Sequence, residues 1–444
     1  MGKRMNKKQG MRFAAWLLAL TLVGTGCGAG GQVRSQEAEN EAEAVQGSQN
    51  PPKTGALHAC YFFEEDGIAL SSGKRFMYSD WEPVEFDVIC MDPTCNHLAG
   101  GCSARSLSKE GEPADDFCLI YGDRLIIIHA TQEYQTETLS EEGAQTLVTE
   151  SSDVYSTEIY EADPDGSNRR KKASFPGAID TPLMGHAAVL ADGKLYFGGP
   201  TRQRDRYENN MSGGAMKSWS WTSHALYCLD LEDYTVETFA VTEDAEGVGY
   251  MYQFYEYEGM VYAVISNFDN GVDCAIWYRI DPASGGCGEI LRFDPHGDLG
   301  VPRFNGVIGN TVYYTYEDSN KTLYARDINA GAEEREIMTV DGEDRQVIAF
   351  ILDGKILFQT DGCYEGEDRM TEYAVLDKDG NLLDTIQYDE YITFGDVIGD
   401  KILYYATFSD CDRWWAYKED LADLPEKGVG IGYYNGAMHD SLSH

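Results

Sequence analysis

The sequence predicts an all-β protein, a seven-bladed β-propeller made of four-stranded antiparallel blades. Three observations favour this fold. A tight turn containing glycine recurs along the chain, and an apolar and aromatic run follows each turn. The 444 residues also include 29 Tyr and 47 Gly, with 12% aromatic residues in all, a composition that suits strands and turns better than helices.

The recurring turn combines glycine with an acidic residue or asparagine in most of its copies. Such turns tolerate positive φ and match the twist of the flanking strands, so they are the strongest local signal of a β-hairpin. Gly259, Gly309, Gly354 and Gly399 are separated by 50, 45 and 45 residues, which is the period of a four-stranded blade. The turns lie at residues 121–123, 191–193, 257–259, 308–310, 352–354 and 398–400.

A second repeated feature is an apolar-aromatic strand that ends in an acidic turn, as in TLYARD (322–327). Each unit then has four strands: A before the glycine turn, B after it, C the strand that ends in the acidic turn, and D one further strand. Seven such units cover residues 56–444. The first unit is the loosest and has LHACYFF (57–63) as its strand A. Two unrelated β-sandwiches are the alternative, but they do not explain the repeated turns. The pattern shows no strand exchange that would close the ring.

The N-terminal segment predicts export. Residues 1–26 have a basic start and an apolar run from Phe13 to Val23, which is typical of a secretory signal peptide. Gly24-Thr25-Gly26-Cys27 resembles a bacterial lipobox, although Gly24 stands where an aliphatic residue is usual. The resemblance implies that Cys27 is lipidated and holds the protein on the extracellular face of the cell membrane. An ordinary signal peptide with an incidental cysteine is the alternative.

The charge of the chain limits its partners. The first 26 residues hold five of the 35 basic residues and no acidic one, so the rest carries 30 basic against 75 acidic residues, a formal −45. Nucleic acid and anionic lipid headgroups are therefore unsuitable direct partners. Residues 27–55 contain no aromatic residue and cannot bury a core, which predicts a flexible linker behind the lipidated cysteine.

Two connections between strands B and C are much longer than the others, at residues 131–155 and 200–224. Loops of this length are usually functional or disordered. The first is acidic and rich in Ser and Thr, which favours disorder. The second has the composition of a binding surface, although its tryptophans could simply extend strand C. Its candidate ligand-binding residues are Arg204, Arg206, Tyr207, Trp219 and Trp221.

A cluster of cysteines follows the first unit. Cys90, Cys95, His97 and Cys102 fall within 13 residues, in a connection between strands D and A. Three thiolates and an imidazole could bind zinc, but export also permits disulfides, and free thiols are the third alternative. No other cofactor is expected. The pairs considered for disulfides between blades are Cys60 with Cys118 and Cys363 with Cys411.

The segment ICMDPTCNHLAGGCSA (89–104) carries a resemblance. Together with the lipobox-like start and the Tyr-rich repeats, it resembles a family of uncharacterised exported lipoproteins from Gram-positive anaerobes. The resemblance covers nearly the whole chain and implies an exported lipoprotein with a TolB-like propeller. It implies no activity and no substrate.

Motifs of common enzyme classes do not appear in the sequence. It has no HExxH, no Gly-x-Ser-x-Gly, no phosphate-binding Gly-x4-Gly-Lys and no sialidase box. The predicted anchor, the linker and the aromatic residues of segment 200–224 favour a non-catalytic propeller that binds an extracellular glycan, peptide or partner protein. The alternative is an exported carbohydrate-active hydrolase or lyase, whose pair of carboxylates cannot be singled out among 75 acidic residues.

Overall fold

The computed structural model describes strands from residue 54 to residue 431, all within the unit Ala44–His444. The predicted signal peptide, Cys27 and most of the linker lie outside the described residues. The described residues are 54–58, 61–72, 75–82, 84, 86–97, 101–107, 116–138, 146–179, 186–210, 217–246, 250–267, 275–293, 302–316, 321–329, 332–340, 348–363, 370–406, 413–424 and 426–431.

The second half of the described chain forms four separate four-stranded sheets. Each is antiparallel and follows chain order, so each strand pairs with the next along the sequence. A 3-10 helix, Lys418–Asp423, lies between the last two strands. The strands are β14 (Tyr250–Tyr257), β15 (Met260–Asn267), β16 (Ala275–Asp281) and β17 (Gly286–Phe293); β18 (Pro302–Ile308), β19 (Thr311–Tyr316), β20 (Thr322–Asp327) and β21 (Arg335–Thr339); β22 (Ala349–Leu352), β23 (Lys355–Cys363), β24 (Met370–Leu376) and β25 (Leu382–Tyr388); β26 (Ile392–Ile398), β27 (Lys401–Ala406), β28 (Arg413–Tyr417) and β29 (Val429–Ile431).

The first half contains thirteen strands joined in one sheet. It includes three antiparallel runs of four in chain order, β2 to β5, β6 to β9 and β10 to β13, together with β1. The strands are β1 (Thr54–His58), β2 (Tyr61–Glu64), β3 (Gly67–Ser72), β4 (Arg75–Asp80), β5 (Asp87–Val88), β6 (Asp116–Tyr121), β7 (Arg124–Thr138), β8 (Thr146–Ala162), β9 (Arg170–Pro176), β10 (Ala188–Ala191), β11 (Lys194–Asn210), β12 (Lys217–Asp230) and β13 (Val236–Glu246).

The predicted turns are confirmed. The recurring glycines all have positive φ, between 59° and 76°, and each joins the first two strands of a run. In three turns the preceding residue also has positive φ: Asp192 (49°), Glu258 (53°) and Asp353 (46°). Two successive residues with positive φ form the type I′ turn, whose twist matches that of a β-hairpin.

The four-stranded antiparallel sheets lie in a propeller arrangement. Their first strands contact one another in series, from β10 through β14, β18 and β22 to β26. β26 in turn contacts β1, so the last sheet meets the beginning of the chain. The predicted all-β fold with four-stranded blades is therefore confirmed.

Side chains close this junction between the first and last sheets. The buried rings of Trp81 and Trp415 pack edge to face with centroids 5.2 Å apart. Lys401 Nζ donates a 3.0 Å hydrogen bond to the carbonyl of Glu65 and lies 5.5 Å from the Trp81 ring centroid. Packing of complete sheets thus joins the two ends of the described chain.

The predicted first strand, LHACYFF, was wrong as one continuous strand. The structure has two strands there, and β1 pairs antiparallel with both β2 and β10. The hydrophobic pattern alone could not show that the chain reverses between β1 and β2, because both strands contain buried apolar residues.

The expectation of disorder in residues 131–155 was also wrong over most of the segment. Residues 131–138 and 146–155 extend β7 and β8 and pair with each other. Thr, Tyr and Val recur there among polar residues, and these side chains suit a strand with solvent on its surface. Across the described ranges, no helix has the length and apolar character needed to cross a membrane.

Candidate functional site

Two long hairpins extend beyond their sheets. β7, β8, β11 and β12 have 14 to 17 residues, whereas most of the other strands have eight or fewer. β7 continues for nine residues beyond His129, the last residue that pairs with β6. At ~3.3 Å per residue this extension is about 30 Å long. We name residues 130–138, 146–155, 201–210 and 217–224 the arm sheet.

The two hairpins combine into one sheet because β8 changes its partner. At its base β8 pairs with β9, as far as Ser156 opposite Pro176. From Val154 toward the beginning of β8, the same edge pairs instead with β11. The nine register pairs begin with Arg202 opposite Val154. A β-bulge in β11 between Pro200 and Arg202 marks the change. The edge of β8 is thus covered along the arm, which removes a site for aggregation.

Gly177 occupies the point where the partner changes. Its N–H donates to the carbonyl of Tyr155 (2.7 Å), and its own carbonyl accepts from the Thr157 hydroxyl (2.7 Å). Its φ is 108°, and a Cβ there would lie 3.0 Å from the Tyr227 hydroxyl. Only glycine fits this close, left-handed position without strain.

The predicted ligand-binding residues divide between the two sides of the arm sheet. Arg204 pairs in register with Trp221, and its guanidinium lies 5.4 Å from the centroid of the Trp221 ring. Arg206 lies two residues further along the same side. Tyr207 alternates to the opposite side, where 40% of it is exposed. Trp219 pairs in register with Arg206, but its side chain lies outside the described part.

The structure therefore brings Arg204, Arg206 and Trp221 together and separates Tyr207 from them. It also shows that Trp219 and Trp221 extend β12, as the simpler alternative predicted. Extension of a strand does not oppose a binding role, because the strand places its alternate residues in a row on one surface.

Carboxylates hold Arg206 at the surface. Its guanidinium forms ion pairs with Glu208 (2.8 Å) and Glu150 (3.3 Å). The Arg206 and Glu150 side chains are 39% and 45% exposed. Exposed ion pairs of this kind contribute only about 0–1 kcal/mol. An anionic group of a ligand can therefore replace these carboxylates as the partner of Arg206 at little cost in free energy.

The second candidate is the loop between β5 and β6, which contains the predicted cysteine cluster. One ligand atom from each of Cys90, Cys95, His97 and Cys102 lies within 4.8 Å of all the others. Cys102 Sγ is 3.6 Å from His97 Nδ1. Cys102 is buried, while Cys95 and His97 are half-buried. The spacing in the sequence thus corresponds to a real cluster.

The backbone stabilises negative charge at the cysteine cluster. Cys95 Sγ accepts the N–H of His97 at 3.4 Å. The backbone at Asp92 lowers the pKa of Cys90, and the backbone at Ala104 opposes the increase in the pKa of Cys102. Such hydrogen bonds favour the thiolate over the thiol.

The electrostatic environments of the thiols differ. Burial raises the pKa of Cys90, but hydrogen bonding at its sulfur outweighs burial and lowers the pKa to about 6. Burial raises the pKa of Cys102 to about 11, and the neighbouring thiols add to this increase. The two thiols share hydrogen bonds, so the site prefers to lose its first proton at Cys90.

Local turns shape the loop. Asp92 Oδ1 accepts the N–H and hydroxyl of Thr94 (2.8 and 2.7 Å), and the Asp92 carbonyl accepts the N–H of Cys95 (3.0 Å). His97 has a φ of 57°, a left-handed conformation that costs a residue with a Cβ about 1 kcal/mol. This conformation turns the chain so that His97 lies between the thiols of Cys95 and Cys102.

The end of the loop is fixed to the next run of strands. Ser103 Oγ donates to the carbonyl of Asp165 (2.6 Å), and Arg169 donates to the carbonyl of Ser103. Gly166, with a φ of 76°, packs so closely that a Cβ would overlap the Ser103 carbonyl oxygen. The loop therefore bridges two runs of four strands.

Sequence reasoning missed a buried polar group that supports this loop. Asp116 is 3% exposed and lies 2.5 Å from His129 Nδ1. It also accepts the Ser106 hydroxyl and the N–H of Leu107 (2.6 Å). Burial raises the pKa of Asp116, but the hydrogen bonds, that of His129 foremost, outweigh burial and lower it. No local signal could reveal this group, because its members come from the loop, β6 and β7.

The cysteines with described side chains are free: Cys90, Cys95, Cys102, Cys118, Cys228 and Cys287. Cys118 is buried, accepts a hydrogen bond from Ser71 (3.7 Å), and has its pKa raised by burial to about 12. Its suggested partner Cys60 lies outside the described residues, as do Cys411 and the side chain of Cys363. Both of those disulfides stay predictions.

The chain matches no family model and no curated protein. Its fold is similar to solved structures, among them a prolyl endopeptidase (12% identity, TM-score 0.40, 84% of this chain and 48% of that one). Others are dipeptidyl peptidase 4 of Porphyromonas gingivalis (9%, 0.37, 89% and 61%) and an oligogalacturonate lyase in complex with manganese (10%, 0.35, 66% and 84%). The chain spans about half to three fifths of the two peptidases. This is a distant similarity between β-propellers, and it assigns the chain to no family.

Proposed function

We propose that this protein is a lipoprotein anchored at Cys27 on the extracellular face of the cell membrane, with a non-catalytic, seven-bladed, TolB-like propeller. The propeller binds an extracellular ligand, which is a glycan, a peptide or a partner protein, on the side of the arm sheet that carries Arg204, Arg206 and Trp221. The single observation behind this proposal is the arm sheet, a long paired platform that the blades themselves do not need.

The surface chemistry of this side supports ligand binding. Arg202, Arg204 and Arg206 form a row of basic residues in a chain whose net charge is −40. Arg202 Nε lies 3.4 Å from the Ser152 hydroxyl, and Arg204 lies over the Trp221 ring. Arginine presents a planar set of donors that suits carboxylates, and an aromatic ring suits the apolar face of a sugar or a side chain.

The alternation of the strands supplies a matched control. Tyr134 and Tyr207 are exposed on the opposite side of the same sheet, so their substitution changes the arm without touching the arginine row. If the arm serves only folding, substitutions on either side should have similar effects. If one side is a binding site, only substitutions on that side should weaken binding.

The test measures binding of the full chain to immobilised neutral glucans, uronate-containing polysaccharides and a peptide library. For each probe that binds, Arg204→Ala with Trp221→Ala should weaken binding at least tenfold, while Tyr134→Ala with Tyr207→Ala should leave it unchanged. Equal affinity of the wild type and the Arg204 and Trp221 variant for every bound probe would refute this site.

A further inference from the structure

We propose that Cys90, Cys95, His97 and Cys102 bind one zinc ion in a closed, four-coordinate site. This site is separate from the arm sheet, and its function is to fix the loop between β5 and β6. The proposal rests on the positions of the four ligand atoms and on the hydrogen bonds around them.

The distances suit a tetrahedral ion. Zinc binds sulfur at about 2.3 Å and nitrogen at about 2.0–2.1 Å, so the ligand atoms of a tetrahedral site are about 3.5–3.8 Å apart. Cys102 Sγ and His97 Nδ1 are 3.6 Å apart, and all four atoms lie within 4.8 Å of one another. Small side-chain rotations suffice to reach coordination distance.

The ligand set selects the kind of metal. Three sulfur atoms and one imidazole favour zinc over calcium, magnesium or manganese, which prefer oxygen ligands. Three thiolates with Zn²⁺ carry a net charge of −1, and a cation lies close by. Arg169 donates a hydrogen bond to the carbonyl of Ser103, the residue after Cys102. Arg169 therefore provides a partly buried positive charge beside the site.

The free state of the cysteines and the hydrogen bond at Cys95 favour thiolates over a disulfide. Cys90, Cys95 and Cys102 are all free, and Cys95 Sγ accepts the N–H of His97 at 3.4 Å, which stabilises negative charge on sulfur. A disulfide would use two sulfur atoms and leave the third with His97. A disulfide sulfur is uncharged and would gain little from this donor.

The site has no position left for a substrate. Four protein ligands complete a tetrahedral zinc site, which is typical of structural rather than catalytic zinc. Ser103, directly after Cys102, hydrogen-bonds the turn at Asp165 and Gly166. Metal binding therefore holds the loop against the next run of strands, and loss of metal should expose the loop to proteases.

The first experiment uses the full chain, reduced and treated with a chelator. We expect native mass spectrometry to show one zinc per chain after zinc is added. Cobalt should give the visible bands of tetrahedral, thiolate-bound Co²⁺. Alkylation of Cys90, Cys95 and Cys102 should be at least tenfold slower with zinc than without.

Substitutions then identify the ligands. Cys95→Ser and His97→Ala should each weaken zinc binding at least tenfold and change the cobalt spectrum. Cys287→Ser, at a half-buried free cysteine of another sheet, should leave both unchanged. If the ligand variants fail to fold, the cobalt spectrum of the wild type still decides. A folded, reduced wild type that binds neither metal, or a non-reduced chain with a disulfide among these cysteines, would overturn the proposal.

Discussion

The contact between Trp81 and Trp415 should contribute directly to closure of the propeller. The perturbation is a double-mutant cycle in which each tryptophan is replaced by leucine, alone and together. Leucine keeps an apolar side chain but removes the aromatic ring. Both tryptophans are at least 96% buried, and they belong to opposite ends of the described chain.

The structure gives the expected size of each effect. Large-to-small substitution at a buried tryptophan costs about 2–3 kcal/mol when leucine fills part of the space. Trp81→Leu also loses the 2.8 Å hydrogen bond from Nε1 to the carbonyl of Glu64, which adds about 1 kcal/mol. The edge-to-face pair itself should appear as a coupling energy of about 0.5–1.5 kcal/mol.

The assay is equilibrium unfolding in urea, followed by circular dichroism, for the four proteins of the cycle. A second cycle between Trp81 and Trp277 is the control. Trp277 packs against Phe293 and Phe304 in the middle of the chain, so its cycle with Trp81 should be additive within about 0.5 kcal/mol. Equal coupling energies in the two cycles would contradict closure by this pair.

Two further predictions concern a buried histidine and a close-packed glycine. Burial lowers the pKa of His224 from 6.5 to about 4, so the unfolded chain is protonated first as the pH falls, and stability is lost between about pH 6.5 and pH 4. The wild type should lose about 2 kcal/mol more unfolding free energy than His224→Gln when the pH falls from 7.5 to 4.5. Parallel profiles of unfolding free energy against pH for the two proteins would contradict this. Gly166→Ala should destabilise the fold by about 2–4 kcal/mol, because the added methyl group overlaps the Ser103 carbonyl. The control is Gly122→Ala, where a Cβ meets nothing within 4 Å, and it should cost only about 1 kcal/mol. Equal melting temperatures of the two variants would refute the steric argument.

The repeated elements could be predicted because their signals are local. The turns at Gly193, Gly259 and Gly354 need positive φ at two successive residues, and the sequence places Asp, Glu or Gly at each such position. The strands after them alternate or run apolar over a few residues. Each hairpin is therefore encoded within about 20 residues, which is the range over which a pattern in sequence is informative.

The pairing of β8 with β11 could not be predicted in the same way. Val154 and Arg202 are 48 residues apart, and each lies at the start of an arm whose own hairpin already satisfies one edge. Polar side chains on both sides of the arm give no hydrophobic alternation to fix the register. β8 pairs with β11 because the propeller brings these two open edges together. That proximity depends on the whole fold, so a local sequence pattern does not reveal it.

The cysteine cluster lies between these two cases. Its four members are close in sequence, and turns at Asp92 and Ser103 suffice to bring them together. The contact of the loop with Asp165 and Gly166 was not predicted, because Ser103 and Asp165 are 62 residues apart and no local pattern links them. The sequence thus indicated the ligands but not the neighbour that the loop fixes.

The pairing of β1 has a mechanical consequence. β1 is the first described strand, and both its edges are hydrogen-bonded, to β2 and to β10, over four register pairs each. A force directed along the axis of β1 is parallel to both ladders. The hydrogen bonds are then loaded together in shear rather than opened one after another. The fold therefore resists tension along its first described strand.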